Sequence, residues 1–231
     1  MQYQGGKSRV AADIAAIINA CDAPYYVEPF VGGASVLALV KKEHRLALDV
    51  ESNLIWMWKA VQQGWVPPTE VSRELYSALR NHPHDSALKG FVAYGCSWGG
   101  KFFGGYASGD DRNFADEGSR RITNKVAPHI KDVFFDCCDY KDAEAYGEGW
   151  IFYCDPPFLN TATYSAGGVF NHQEFWSWAD SMANMGHVML VSETEAPDGW
   201  DVCWEKEVTS SYTALEPMTK RSEKLFARNL D

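Results

Sequence analysis

The feature that most constrains the fold is the octapeptide IFYCDPPF at residues 151–158. Its first four residues form an apolar, aromatic-rich run that predicts a buried β-strand. Neither following proline has an N–H, and the first disfavours helical geometry at Asp155, so the strand must end there. Ligands of open α/β sheets bind at the carboxyl edge of the strands. We therefore expect the Asp155 carboxylate and the Pro156 carbonyl at a ligand-binding edge.

The chemistry of this box favours a planar ring that carries an amino group. A carboxylate beside a rigid carbonyl supplies two hydrogen-bond acceptors, and an NH2 group supplies two matching donors. The ring of Phe158 follows on a stiff backbone, so it is suited to form one wall of a flat pocket. The alternative is an ordinary buried strand that ends in a Pro-Pro turn with a solvated aspartate.

Two earlier segments have the pattern of a nucleotide-binding crevice. Residues 25–30 predict a strand, followed by a turn with Gly32 and Gly33 and by an apolar helix through Val40. The spacing is not that of the dinucleotide fingerprint. Residues 45–49 predict a second strand that ends at Asp49, where an acid accepts hydrogen bonds from ribose hydroxyls. The alternatives are an ordinary strand–turn–helix unit and a helix-capping aspartate.

The N-terminal residues Gly5, Gly6 and Lys7 precede a helix-like segment over residues 8–21. Two glycines before a helix let backbone N–H groups approach an anion, and Lys7 adds positive charge. The alternative is a flexible tail in front of a capped helix.

Length and composition limit the class of protein. A chain of 231 residues suffices for one full α/β core with an inserted subdomain. No apolar run is long enough to span a membrane and no signal-peptide pattern is present, which predicts a cytoplasmic protein. The six cysteines show no metal-ligand spacing and are expected to be reduced thiols.

The distribution of charge bears on nucleic-acid binding. A net charge of −10 argues against such a partner when the chain is taken as a whole. Residues 55–130, however, carry nine Lys/Arg against seven Asp/Glu, whereas the rest of the chain carries twelve against twenty-four. The acidity therefore belongs to the two flanks, and the middle is mildly basic.

Four motifs stand in one order along the chain: GGK at 5–7, EPFVGG at 28–33, DVESNLI at 49–55 and DPPF at 155–158. With these motifs the sequence resembles the Dam-type DNA adenine methyltransferases, which include bacterial and phage-encoded members. The resemblance implies an α/β fold with a Rossmann-like sheet of seven strands, the last antiparallel, and a mainly helical insert. The catalytic core would comprise residues 1–54 and 129–231, and the target-recognition insert residues 55–128.

The resemblance also implies roles for individual residues. The catalytic box would be Asp155, Pro156, Pro157 and Phe158. The site for S-adenosyl-L-methionine would be formed by Tyr3, Gly5, Gly6, Lys7, Phe30, Gly32, Gly33, Asp49, Asp139, Tyr140 and Asp155. The alternative for Asp139 and Tyr140 is an acidic surface turn.

The sequence departs from the family pattern in three places. Ala34 takes the place of the second glycine in the glycine loop, and it would cost about 1 kcal/mol or more if that position needed a positive φ. Tyr3 stands where many members have tryptophan. Phe158 replaces a tyrosine, which keeps the stacking face and loses a hydroxyl.

The insert contains the candidate DNA contacts. A loop rich in glycine and aromatic residues spans residues 95–106, and such a loop can lie against a DNA backbone or wedge between bases. A basic run on a predicted helix is suited to phosphates. The expected contacts are Lys101, Tyr106, Arg112, Arg120, Arg121 and Lys125. The alternatives are a loop packed on its own domain and a solvated basic face.

Together these features predict methyl transfer to the exocyclic amine of a flipped-out adenine in a specific sequence of double-stranded DNA. The expected setting is the cytoplasm of a bacterial cell, with a phage-encoded origin left open, and neither a metal nor a membrane is implied. The alternatives are methylation of RNA or of a protein glutamine amide, or a catalytically silent nucleic-acid-binding protein on the same fold.

Overall fold

A computed structural model describes residues 1–109, 111–143, 149–158, 170–210 and 219–230. Its centre is a seven-stranded sheet in the order β3-β2-β1-β4-β5-β7-β6. The strands are β1 (Tyr25–Glu28), β2 (His44–Leu48), β3 (Val133–Asp136), β4 (Ile151–Cys154), β5 (Val188–Glu193), β6 (Asp201–Ser210) and β7 (Thr219–Arg228). Strands β3, β2, β1, β4 and β5 are parallel to one another, and β7 is antiparallel to both β5 and β6. The predicted Rossmann-like sheet with its last strand antiparallel is confirmed.

Strand β4 occupies the middle of the sheet, as its apolar sequence requires. All four of its residues are buried, because β1 and β5 pair with it on either side and side chains pack on both faces. Such a continuous apolar run is typical of a parallel strand covered on both faces. The strand ends at Cys154, so Asp155 is the first residue beyond its carboxyl end.

Six α-helices surround the sheet in the described part of the chain. They are α1 (Ala11–Ala20), α2 (Ser52–Gln62), α3 (Arg73–Asn81), α4 (Ala87–Gly95), α5 (Phe114–Arg121) and α6 (His172–Asn184). Short 3₁₀ turns occur at Leu37–Leu39, Trp98–Gly100, Ala127–His129 and Tyr140–Asp142, and a π turn occurs at Ile122–Val126. Apart from residue 110, the predicted insert is described in full and contains helices and two isolated β-bridges, so it is mainly helical as predicted.

The segment after the glycine turn differs from the prediction. A helix was expected through Val40, but the chain forms a single 3₁₀ turn at Leu37–Leu39. The reason is local: Ala34 has a left-handed φ of 54° and Val40 is extended, which leaves room for one turn only.

Apolar residues form one core on each face of the sheet. The first core joins α1 and one face of the sheet to the insert. It includes the fully buried side chains of Trp58, Phe91 and Ile122. The second packs α6 against the other face through residues such as Phe152 and Phe175. Because α2 and the helices after it share the first core with the sheet, the division into residues 1–54, 55–128 and 129–231 stays a prediction.

Helices α2 and α4 approach each other closely. Gly90 on α4 makes this possible, because a Cβ at that position would lie 2.1 Å from the carbonyl oxygen of Asn53 on α2. The Asn53 side chain also accepts from the Ser86 N–H and donates to Asp85, at the start of α4. The insert is thus fastened to the helix that follows β2. In the described residues no helix is long and apolar enough to cross a membrane.

Candidate functional site

Acidic residues line the carboxyl edge of the parallel strands. Strands β1 and β5 end at Glu28 and Glu193, and Asp49 and Asp155 directly follow β2 and β4. Since these four strands are adjacent in the sheet, the four carboxyl groups share one edge. Glu28, Asp49 and Glu193 are buried, and the Asp155 side chain is 21% exposed. Buried carboxylates are destabilising unless hydrogen bonds or cations compensate them.

Lys7 is a buried cation at this edge. Its side chain is 5% exposed, and its Nζ lies 2.6 Å from Asp155 Oδ1. The same Nζ donates to the carbonyl of Gly5 at 3.2 Å and lies 4.4 Å from the centroid of the Phe158 ring. Lys7 was predicted to bind the cofactor, and that contact stays a prediction; in the structure its ammonium group contacts the predicted catalytic box.

The charge state of Asp155 depends on opposing influences. Burial raises the pKa of this carboxyl above its ordinary value, and the Lys7 ammonium opposes the rise. The nearby carboxyls of Glu223 and Glu193 add to the rise. Within the described residues the Oδ1 atom is held by Lys7, and Oδ2 makes no hydrogen bond. Asp155 is therefore a partly buried carboxyl group that Lys7 holds through one of its two oxygens.

Glu28 is a buried acid that the sequence analysis did not assign to the site. Its Oε2 accepts a hydrogen bond from the hydroxyl of Tyr26 at 2.7 Å. Burial raises the pKa of Glu28 well above its ordinary value, and the charges of Asp155 and Asp49 add to this. The sequence contained a pattern that could have identified Glu28 as a site residue. Glu28 is the last residue of an apolar strand, and Asp155 directly follows another such strand.

The glycine loop is held by contacts on both sides of Gly32. Asp49 Oδ2 accepts from the Gly32 N–H at 2.9 Å, and the indole Nε1 of Trp58 donates to the Gly32 carbonyl at 2.9 Å. Asp49 Oδ1 accepts from the Glu51 N–H at 3.0 Å. Burial raises the pKa of Asp49 to about 6, although these two backbone hydrogen bonds oppose the rise. Trp58 is also part of the buried core, so its indole joins the loop to the core.

Ala34 adopts the conformation that its family position suggested. Its φ is 54°, and its side chain is fully buried. Left-handed geometry costs an L-residue about 1–2 kcal/mol. The loop therefore retains a glycine-type conformation without the glycine.

Tyr3 packs directly on the glycine loop. A Cβ added to Gly32 would lie 2.5 Å from Tyr3 Cε1, and one added to Gly33 would lie 3.1 Å from Tyr3 Cβ. On its other side the Tyr3 ring lies 4.9 Å from the ring of Tyr94 on α4. The two glycines thus permit close approach of Tyr3, which is the predicted neighbour of the cofactor.

Gly5 and Gly6 form an exposed turn before Lys7. Gly5 has a positive φ of 74°, and the Gly6 N–H donates to the carbonyl of Tyr3 at 3.0 Å. This turn directs Lys7 inward. A direct contact of Gly5 or Gly6 with a cofactor stays a prediction.

Phe30, Asp139 and Tyr140 lie near the ends of β1 and β3. The rings of Phe30 and Tyr140 stack with 5.5 Å between centroids, and both contact Phe175. Burial raises the pKa of Tyr140 to about 12. Asp139 caps the short turn Tyr140–Asp142 by accepting from the Lys141 N–H at 3.0 Å. The capping role matches the alternative considered for Asp139, and its contact with a cofactor stays a prediction.

The predicted DNA contacts fall into two groups. Arg112 and Arg120 are paired within the insert, with Glu117 at 2.6 Å and Asp116 at 2.9 Å. Tyr106 donates its hydroxyl to the Val71 carbonyl at 2.7 Å and packs as part of the insert. Lys101, Arg121 and Lys125 are exposed and make no ion pair among the residues that the structure describes. These last three are the better candidates for phosphate contacts.

The residues at the carboxyl edge offer acceptors of the kind that the ribose of S-adenosylmethionine requires. Gly32 and Gly33 leave room for Tyr3, whose ring packs on the glycine loop at this edge. Each oxygen of Asp49 accepts one N–H and retains a second lone pair for a ribose hydroxyl. The donor and acceptor set of these residues is therefore compatible with the predicted cofactor.

Comparison with known proteins supports this assignment over part of the chain. Residues 3–93 match the family model of the D12 class N6 adenine-specific DNA methyltransferases. The matched stretch includes Tyr3, Lys7, the glycine loop and Asp49, and it ends before Asp155. The resemblance predicted from the motifs is thus confirmed over residues 3–93, and the match supports a methyltransferase that uses S-adenosylmethionine. No curated protein matches the chain.

Solved structures show only a distant likeness. A precorrin 8W decarboxylase from Methanobacterium thermoautotrophicum is 11% identical with a TM-score of 0.43, covering 95% of this chain and 89% of that chain. An rRNA methylase from Streptococcus thermophilus is 10% identical with a TM-score of 0.40, covering 96% of each chain. A putative methyltransferase complexed with SAH is 11% identical with a TM-score of 0.40, covering 98% of this chain and 54% of that chain. Likenesses this weak leave the substrate undecided.

Proposed function

We propose that this chain is a DNA adenine methyltransferase that methylates the exocyclic amine of an adenine flipped out of a specific duplex sequence. The observation that carries the proposal is the Asp155 carboxylate, held by Lys7 at the same sheet edge as the glycine loop and Asp49. The family match over residues 3–93 supports both the cofactor and the substrate class.

The cofactor would be held by the glycine loop and its neighbours. Asp49 would accept hydrogen bonds from the ribose hydroxyls, and the loop with Gly32 and Gly33 would lie on the side of the methionine part. Tyr3 and Phe30 would pack beside it. When bound, S-adenosylmethionine supplies an electrophilic methyl group whose bond to sulfur breaks with its electron pair returning to sulfur.

The residues of the box would position and polarise the target amine. That amine is a poor nucleophile because its lone pair is delocalised into the adenine ring. Asp155 Oδ2 and the Pro156 carbonyl would accept its two hydrogens and draw the nitrogen towards tetrahedral geometry. The Asp155 charge would stabilise the positive charge that develops on nitrogen, and this carboxylate is placed to receive the proton lost after transfer.

The substrate must leave the duplex to reach this edge. Enzymes that act on a base extrude it into a pocket and stack it between aromatic or apolar side chains. Phe158 follows the two prolines directly and supplies an aromatic surface beside Asp155. The exposed cations Lys101, Arg121 and Lys125 would contact phosphates and make affinity for DNA fall as salt concentration rises.

The test is incubation of the purified chain with methyl-labelled S-adenosylmethionine and three substrates: unmethylated duplex DNA, RNA and a glutamine-containing protein. We expect label in DNA at the adenine amine, identified by nuclease digestion and mass spectrometry. Label in RNA or in glutamine, with none in DNA, would replace the proposal by one of those activities. Cofactor binding without transfer to any substrate would indicate a silent binding protein.

A further inference from the structure

The ammonium group of Lys7 lies against three groups of the protein. An ammonium carries three donors. In this structure Nζ contacts Asp155 Oδ1 at 2.6 Å and the Gly5 carbonyl at 3.2 Å, and it faces the Phe158 ring at 4.4 Å. The side chain is only 5% exposed. This arrangement places Lys7 between the two side chains of the box, Asp155 and Phe158.

The charged groups around Asp155 explain why its contact with Lys7 matters. Carboxyl groups from three other strands influence Asp155: Glu28 on β1, Glu193 on β5 and Glu223 on β7. On β4, burial raises the pKa of the Tyr153 hydroxyl and of the Cys154 thiol, and the charge of Asp155 adds to the rise. An aspartate surrounded in this way takes up a proton more readily, and a protonated Asp155 would offer one acceptor fewer to the target amine.

We propose that Lys7 is a positioning residue of the methyl-transfer site, whose ammonium group fixes the Asp155 carboxylate and the Phe158 ring in one arrangement and neutralises the acidic strand ends around them. The inference rests on the proposed function for its catalytic part. Its electrostatic part concerns only Lys7 and Asp155, and it is measurable without DNA.

The geometry explains why this contact requires a turn of glycines. Lys7 must reach inward from a segment that then enters α1, since its carbonyl accepts from the N–H groups of Val10 and Ala11 at 2.9 and 2.7 Å. The Gly5 φ of 74° lets the chain reverse so that the Gly5 carbonyl also meets Nζ. The glycines of the GGK motif therefore form the turn that directs the Lys7 side chain towards Asp155.

The experiment compares Lys7→Met, Lys7→Arg and the wild type. Methionine keeps the length and loses the charge, whereas arginine keeps the charge. Lys206→Met is the matched control, because Lys206 forms an exposed ion pair with Asp13 at 2.9 Å outside the site. Each protein is tested for cofactor affinity by calorimetry and for single-turnover methylation of an oligonucleotide at saturating cofactor across a range of pH.

For Lys7→Met we expect single-turnover methylation to fall by about 10²-fold, by analogy with loss of one preorganised electrostatic partner. Cofactor affinity should change by less than about 3-fold, since the inference assigns Lys7 no contact with the cofactor. The acidic limb of the pH–rate profile should move to higher pH, because Asp155 loses the cation that favours its ionised form. Lys7→Arg should recover part of the rate, and Lys206→Met should match the wild type.

Carbon-13 NMR of labelled aspartate gives the second, DNA-free readout. Asp155 should titrate at higher pH in Lys7→Met than in the wild type, and Lys7→Arg should lie nearer the wild type. An unchanged Asp155 titration in Lys7→Met would overturn the inference, as would a 10-fold loss of cofactor affinity with a normal saturated rate. If the wild type methylates no DNA, the proposed function fails while the NMR comparison still decides the role of Lys7. If Lys7→Met does not fold, Lys7→Arg and the wild type carry the comparison.

Discussion

The glycine loop and the Asp155 box lie at neighbouring strands of one sheet edge but are held by different kinds of contact. The loop is held through its backbone: Asp49 and Trp58 bind the N–H and the carbonyl on the two sides of Gly32. The box is held through side chains, by one ammonium group shared between Asp155 and Phe158. Damage to the loop should therefore weaken cofactor binding, and damage to the box should slow the chemical step.

The largest expected effect is at Asp155. Asp155→Asn keeps one acceptor oxygen but places two donors against the donors of the target amine, and it removes the charge that supports the nitrogen. Single-turnover methylation should fall by about 10²-fold or more, with little change in cofactor affinity. The stability cost should be about 1–2 kcal/mol, because Lys7 retains an uncharged acceptor in place of a carboxylate.

The measurements for Asp155→Asn are rapid-quench methylation, calorimetry and thermal melting. Asp13→Asn is the matched control, since it removes a carboxylate from an exposed pair with Lys206. A variant that melts normally and methylates at the wild-type rate would place the chemistry elsewhere.

The next effect is at Asp49, on the cofactor side of the comparison. Asp49→Asn should weaken cofactor binding by about 10-fold or more at pH 7.5, because charged acceptors contribute about 1.5–3 kcal/mol per hydrogen bond. The saturated rate should change little. Since the pKa of Asp49 is raised to about 6, wild-type affinity should fall as pH drops below 6, and the variant should lose this dependence. Calorimetry between about pH 5 and pH 8, a range around the Asp49 pKa of about 6, measures this pH dependence of cofactor affinity.

The raised pKa of Asp49 also predicts how the free energy of unfolding depends on pH. Its pKa is higher in the folded chain than the ordinary value of 3.8, so the folded state binds its proton more tightly. Through Asp49 the free energy of unfolding therefore rises as pH falls from about 6 towards 4. Urea titrations of wild type and Asp49→Asn should diverge in that window, and parallel pH profiles would contradict the assignment.

A smaller effect is expected at Trp58. Trp58→Phe keeps an aromatic ring in the core and removes the donor to the Gly32 carbonyl, so cofactor affinity should fall by about 5-fold, in line with one neutral hydrogen bond. The saturated rate should be unchanged. Trp65→Phe, at a half-buried position beyond α2, controls for general loss of packing. Equal affinity losses in both variants would assign the effect to packing rather than to the hydrogen bond.

The smallest effect is expected at Ala34. Ala34→Gly relieves about 1–2 kcal/mol of left-handed strain. It also removes a buried methyl worth about 0.8 kcal/mol and adds about 0.5–1 kcal/mol of chain entropy to the unfolded state. Stability should thus stay within about 1 kcal/mol of the wild type, as measured by urea unfolding. A loss well above this would mean that the loop depends on the methyl group.

Much of this site follows from local sequence. Two prolines stop β4 at Asp155 wherever the strand lies, because they lack N–H groups and exclude helical geometry before them. The apolar runs that become β1, β2 and β4, and the glycines that open the first turn, are likewise local signals. The same rule could have added Glu28 and Glu193, which also end apolar strands.

What the sequence by itself determined is thus where the strands end and which acids lie at their ends, because backbone sterics and runs of apolar residues act over a few residues. Only the tertiary structure decided what those acids contact. Lys7 and Asp155 are 148 positions apart, and Trp58 lies 26 positions from Gly32. Such pairings depend on the order of strands in the sheet and on how α2 packs against it. Local propensities do not encode these distances, so the role of Lys7 emerges only when the sheet brings the N-terminal turn to the end of β4.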